Sequence, residues 1–282
     1  MKALSVEQPK RAISHDRGLE AAYERWCFSR LFSKWAEDYR VASAMEGPRD
    51  GMDGVRGVHC VGLARAGVRV LSVVGDDASA DIARAVYACA APAQPVEVRV
   101  MGPGGLAELP VSDLVLVYQG ALPVEDGHAY LRAMARHART ILVVVTRNPE
   151  HWRLASRDAL RGLRASDATT TKALAPVLWE LGRVRDHVYF DAPCWPAWPP
   201  ARDSASWLGG STRHVYGAER WPYFGGAGWT DELEPALVRR PSFERAGPRV
   251  LRRTAYLHAF VVDLRPRTPQ ARRKLELARA RA

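Results

Sequence analysis

The chain has 282 residues with 41 Lys and Arg against 31 Asp and Glu, a formal net charge of +10, and no long charge-free linker, so one elaborated domain with a sizeable core is expected rather than two independent ones. Its four cysteines, Cys27, Cys60, Cys89 and Cys194, make no C-x-x-C pair and no Cys/His zinc spacing; they read as core thiols of a reducing compartment, with no metal site. The amino terminus lacks a secretory-type apolar run and no apolar stretch reaches about 18 residues, which excludes a spanning helix and makes a soluble, cytoplasmic protein the expectation.

After a polar leader, residues 19–39 place Tyr23, Trp26, Cys27, Leu31 and Trp35 near helical spacing on one face, with charges elsewhere. Residues 1–40 are therefore a leader and an amphipathic helix ahead of a main domain at 41–264. Residues 41–45 are a short apolar run of the buried-strand kind, and residues 58–66 fit a helix that Gly67 stops. Residues 68–74 (VRVLSVV) alternate and then turn wholly apolar, as a central parallel strand does. An alanine-rich helix at 80–91 and an alternating strand at 96–101 follow. Residues 113–118 (DLVLVY) are a buried strand, 125–137 a helix, and 140–145 (TILVVV) the most strand-like segment of the chain. Five strands separated by helices argue for an α/β fold, a doubly wound parallel sheet covered on both faces.

The carboxyl half continues with a helix at 169–181 that Pro176 bends, a strand at 184–191 and a closing strand at 254–264. Between these strands lies an insertion, 192–250, that holds Trp195, Trp198, Trp207, Trp221 and Trp229 among prolines and glycines. It is too aromatic for a disordered linker and reads as a satellite core. The other reading makes it an apolar wall over an acceptor, or the surface for a protein partner or a second copy. Residues 265–282 form a basic helix or tail.

Across residues 41–77 the order is strand, glycine-bearing loop, helix, and a second strand ending in paired acids. That order builds a nucleotide-type pocket, because backbone N–H groups of the loop attract polar ligand groups and an acid at the next strand tip accepts ribose hydroxyls. Glu46 follows a buried strand and precedes a glycine, where a carboxylate needs a partner; it binds a ligand, caps the neighbouring helix or pairs with an arginine. Asp76 and Asp77 carry a similar ambiguity, since Asp before a helix is a common N-cap: one caps while the other binds. Asp53 reads as a turn residue. His187 and Tyr189 alternate on a strand, and nothing marks either as a general base. No G-x-x-x-x-G-K-[ST] loop, G-x-S-x-G elbow, H-E-x-x-H helix or G-x-G-x-x-G fingerprint is present.

With its elements in this order the chain resembles a class I S-adenosylmethionine-dependent methyltransferase. The resemblance implies a mostly parallel seven-stranded, Rossmann-like sheet in which a final helix leads into two strands, the last antiparallel to the rest. It implies Glu46, Gly47, Gly51 and Gly54 at the methionine part of the cofactor, Asp76 or Asp77 at the ribose, and Met101 and Gly102 near the adenine. Tyr118 and Gln119, followed by Gly120, take the place that presents residues to the methyl group. Pro48 and Asp50 stand where the family's glycines would be expected, and YQGAL is not the Asn/Asp-Pro-Pro-aromatic run of many members that modify amino nitrogens. The implied activity is methyl transfer to an acceptor, a small molecule being favoured, in which alignment supplies much of the acceleration. Two alternatives stay open. The departing glycine loop, aromatic insertion and basic tail suit a methyltransferase-like binding or assembly subunit without catalysis. The basic charge suits a nucleic-acid methyltransferase, although the arginines are spread rather than clustered.

Overall fold

In the computed structural model the described residues are 19–48, 57–91, 96–101, 105–119, 124–151, 170–192, 243 and 245–265. The elements run α1 (Leu19–Tyr39), β1 (Ser43–Glu46), α2 (Val61–Arg65), β2 (Arg69–Val74), α3 (Asp77–Ala90) and β3 (Val96–Val100). A short 3₁₀ helix (Gly105–Glu108) precedes β4 (Ser112–Gln119), α4 (Val124–Ala135), β5 (Ala138–Arg147), α5 (Thr171–Leu181), β6 (Arg183–Phe190), α6 (Pro248–Thr254) and β7 (Leu257–Asp263). All seven strands join one sheet in the order β3-β2-β1-β4-β5-β7-β6. The first five pair in parallel, and β7 runs antiparallel to both β5 and β6. The expected mostly parallel, seven-stranded sheet is thus the observed one.

Why β4 and β5 are continuous apolar runs follows from the layers around them. One core holds Leu114, Leu116, Ile141 and Val143 under α1, α2 and α3; the other holds Val115, Val117, Leu142 and Val144 under α4 and α5. A strand buried on both faces has no polar side to alternate with. Helix α1 covers the first face with Trp26, Cys27, Phe28, Phe32 and Trp35. Phe28 and Phe32 lay outside the expected stripe, yet they are its centre: Phe28 meets Phe32 at 5.4 Å and Phe190, the last residue of β6, at 5.0 Å.

Element bounds depart from the sequence expectations for local reasons. Helix α2 starts at Val61, not 58, because residues 57–60 make the turn that enters it, and Gly67 ends the segment at φ +89° as expected. Helix α3 starts at Asp77, three residues early, because Asp76 caps it: Ser79 N donates to Asp76 Oδ1 at 2.7 Å. The first strand is Ser43–Glu46 rather than 41–45, so Glu46 is its last residue. Helix α5 runs through Pro176 without a break. The closing strand begins at Leu257, not 254, since residues 248–254 form α6, with Pro248 in its first turn where a missing N–H costs nothing. That helix lies partly within the stretch expected as insertion; the tryptophans from Trp195 to Trp229 and residues 266–282 lie outside the described residues.

The amino edge of the sheet carries fixed ion pairs. Asp113 accepts from Ala42 N at 3.1 Å, Ser43 N at 3.0 Å and Arg139 Nη1 at 2.9 Å, pinning the start of β1 to β4 and β5. Asp263 accepts from Arg185 Nε at 3.0 Å and Arg265 Nη2 at 2.8 Å. Burial pushes the Asp263 carboxyl up, but the bonds from Arg265 and Arg185 outweigh it and hold it at about 2.

Candidate functional site at the carboxyl edge of the sheet

From β1 the chain steps to β2 and β3 on one side, then crosses to β4 on the other side of β1. The helix after β1 packs into the first core and the helix after β4 into the second, so the chain parts above the carboxyl ends of β1 and β4. Such a switch of direction opens the crevice in which open α/β sheets bind ligands.

Glu46 ends β1 at this switch point and is 5% exposed. Its Oε2 accepts from His59 N at 3.0 Å and Cys60 N at 3.3 Å, while Oε1 meets His59 Nδ1 at 2.5 Å. A carboxylate has about four lone-pair sites; His59 N, His59 Nδ1 and Cys60 N from the turn that leads into α2 meet three, and the Cys60 thiol also hydrogen-bonds to Glu46. Burial, with Glu46 second, pushes the neighbouring Cys60 thiol well up, which keeps it neutral.

Gly57 makes that turn possible. Its φ is +71°, and a Cβ placed on it would meet Val74 Cγ1 at 2.7 Å. Its carbonyl accepts from Ser72 Oγ at 2.7 Å, which ties the turn to the middle of β2. Gly47, the residue after Glu46, is crowded from the opposite face: a Cβ there would meet Met134 Cε at 3.0 Å and Tyr130 Oη at 3.1 Å, both from α4. At both positions the protein's own atoms occupy the space a side chain would need.

The other expected site residues fall along the same edge. Strand β2 ends at buried Val74, and Asp76 and Asp77 follow, both exposed. Asp76 is occupied as the α3 cap, with Ser79 Oγ also donating to it at 2.9 Å, while Asp77 stands in the first turn of that helix. Met101 follows β3, its N–H donating to Val74 O at 2.9 Å. Tyr118 lies near the end of β4 with its side chain in the first core, and Gln119 ends that strand in register with Thr146. Glu46, the two aspartates and Met101 are thus brought to the ends of three adjacent strands, with Tyr118 and Gln119 on a fourth. Gly51, Gly54 and Gly102 lie outside the described residues.

Two features escaped the sequence reading. His59 is the partner of Glu46; the signal available was its place just after Gly57 at the mouth of α2. The second is a histidine pair across β6 and β7: His187 Nε2 and His258 Nδ1 are 3.0 Å apart, His187 stacks on Phe260 at 4.2 Å, and Tyr189 lies over His258 at 5.6 Å. Burial pushes His187 down. Only the antiparallel register, which sets His187 against Phe260 and Tyr189 against His258, brings these rings together. Among the described residues no group of three or more His, Cys, Asp or Glu side chains could hold a metal ion, and no helix is long and apolar enough to cross a membrane.

Five parallel strands and an antiparallel seventh in the order β3-β2-β1-β4-β5-β7-β6 match the topology of the Rossmann-like, class I methyltransferase-like fold. No protein-family model matches the chain, and no curated protein does. Among solved structures it is similar to magnesium protoporphyrin IX methyltransferase from Synechocystis PCC 6803 with bound SAH, at 14% identity over 65% of this chain and 87% of that one, TM-score 0.49. It is also similar to mitomycin 7-O-methyltransferase, at 18% identity over 60% of this chain and 49% of that one, TM-score 0.44. The cyclase SpnF aligns at 14% identity over 83% of this chain and 80% of that one, TM-score 0.44.

Proposed function

We propose that the chain binds S-adenosylmethionine along the carboxyl edge of β3, β2 and β1 and directs its methyl group to a small-molecule acceptor at β4. The observation that carries this reading is the order of the residues along that edge. Met101 after β3, Asp77 after β2, Glu46 on β1 and Tyr118 with Gln119 on β4 follow the strand order β3-β2-β1-β4. With neighbouring strands about 4.8 Å apart, the three strands from β3 to β1 span about 10 Å, the reach of an adenosine.

The donor set fits such a guest. Glu46 brings a buried negative charge to the end of β1 for an ammonium, and Asp77 offers the ribose an exposed carboxylate while its neighbour caps the helix. Met101 gives an apolar contact beside the base. The bound cofactor supplies an activated methyl group; the protein's part is alignment of the acceptor and exclusion of water, with α1 as one wall. Titration calorimetry tests the reading. Adenosylmethionine is expected to bind the intact chain, and Asp77→Ala to abolish binding; unchanged affinity in that variant removes the ribose assignment.

One observation favours a second reading, a methyltransferase-like binding subunit without catalysis. Glu46 and Asp76 both already serve protein N–H groups, and Gly47 and Gly57 are closed over by protein atoms. The same titration separates the two, since a binding subunit of that kind gives no heat with the cofactor.

A further inference from the structure

The contact between Glu46 and His59 has a chemistry of its own. The carboxylate is buried, and among the described residues the group paired with its charge is the His59 imidazole, with both side chains under 10% exposed. Nδ1 and Oε1 are 2.5 Å apart, so the ring and the carboxylate are in direct hydrogen-bonding contact. A buried carboxylate without a counter-charge is costly, and the His59 imidazole in contact with Glu46 is a group that supplies one by taking a second proton. Cys60, next in the chain, is held neutral, and Phe28 from α1 meets the ring edge-on at 5.6 Å, with Glu24 one helical turn before it.

We propose that this pair makes ligand binding at the β1 crevice proton-linked: a cationic ligand group arriving at Glu46 replaces the imidazolium as its counter-charge, and His59 gives its proton up to solvent. A second cation arriving at Glu46 repels the imidazolium, and unlike an arginine the imidazolium is able to discharge. Neutral His59 still donates Nδ1–H to Glu46, so the turn keeps its geometry through the exchange. The inference rests on the cofactor reading above, which supplies the cation as an ammonium or a sulfonium.

Calorimetry of the intact chain in buffers of small and large ionisation enthalpy tests it. With adenosylmethionine near neutral pH, the apparent heat should change with the buffer by an amount approaching one proton released per ligand. Affinity should rise with pH by up to about tenfold per unit across the titration of His59. Adenosylhomocysteine, which keeps the ammonium and lacks the sulfonium, assigns the exchange: equal release points to the ammonium, and release with adenosylmethionine alone to the sulfonium. His59→Gln should bind with heats that no longer depend on the buffer. Nitrogen chemical shifts of His59 in the unaltered chain give a second readout that does not rely on a variant, moving from the imidazolium to the neutral form as ligand is added. Identical heats in every buffer with an unmoved His59 signal overturn this inference and leave the cofactor reading standing. No binding of either ligand overturns both.

Discussion

The turn at Gly57 is what joins Glu46 to the start of α2, and its replacement by alanine is the most informative perturbation of the site. Three costs add. The left-handed φ of +71° costs an L-residue about 1–2 kcal/mol. The new Cβ would sit 2.7 Å from Val74 Cγ1 and closer still to Ser72 Oγ, so the turn must shift off β2. That shift breaks the 2.7 Å bond from Ser72 Oγ to Gly57 O and leaves a fully buried hydroxyl without its acceptor, for about 1–3 kcal/mol more. The expected loss is therefore about 3 kcal/mol or more. Two other glycines serve as controls. Gly67 has φ +89° with nothing within 4 Å of the methyl an alanine would add, so Gly67→Ala should cost only the backbone share of about 1–2 kcal/mol. Gly75 has open space and no left-handed φ, so Gly75→Ala should be neutral or stabilising by up to about 1 kcal/mol. Urea unfolding with matched m-values measures all three. A Gly57→Ala loss no larger than that of Gly67→Ala would refute the packing argument.

Further outcomes follow from the same structure. Asp76→Ala removes the α3 cap and should cost about 1 kcal/mol in thermal or urea unfolding, while Asp77→Ala leaves stability nearly unchanged and acts on ligand binding alone. Asp113→Ala strands the N–H groups of Ala42 and Ser43 and should cost about 2–3 kcal/mol; a loss under about 0.5 kcal/mol would show that β1 does not depend on that anchor. Asp263, held at about 2 against an unfolded value near 3.8, contributes stability that is fully present above pH 4 and lost as pH falls through 2. Because both arginines are about half exposed, solvent screening limits that contribution to about 1 kcal/mol, and Asp263→Asn should flatten the acid limb of a stability-versus-pH curve by that amount.

Hydrophobic pattern located the strands to within a few residues and their alternation with helices, most sharply at β4 and β5, because a strand buried on both faces reads as DLVLVY or TILVVV; their union in one seven-stranded sheet came from the family resemblance. Local rules also gave Asp76 as one of two candidate caps and Gly67 as a stop. What the chain could not declare was which groups meet. Gly57 reads as an ordinary turn glycine until β2 brings Ser72 and Val74 against it, and His59 is a lone polar residue until β1 sets Glu46 beside it, 13 positions away in sequence. The histidine pair on β6 and β7 likewise depends on a register between strands 71 residues apart. Such contacts are decided by strand pairing and by helices closing on the two faces, and those long-range energies leave no periodic mark on the sequence.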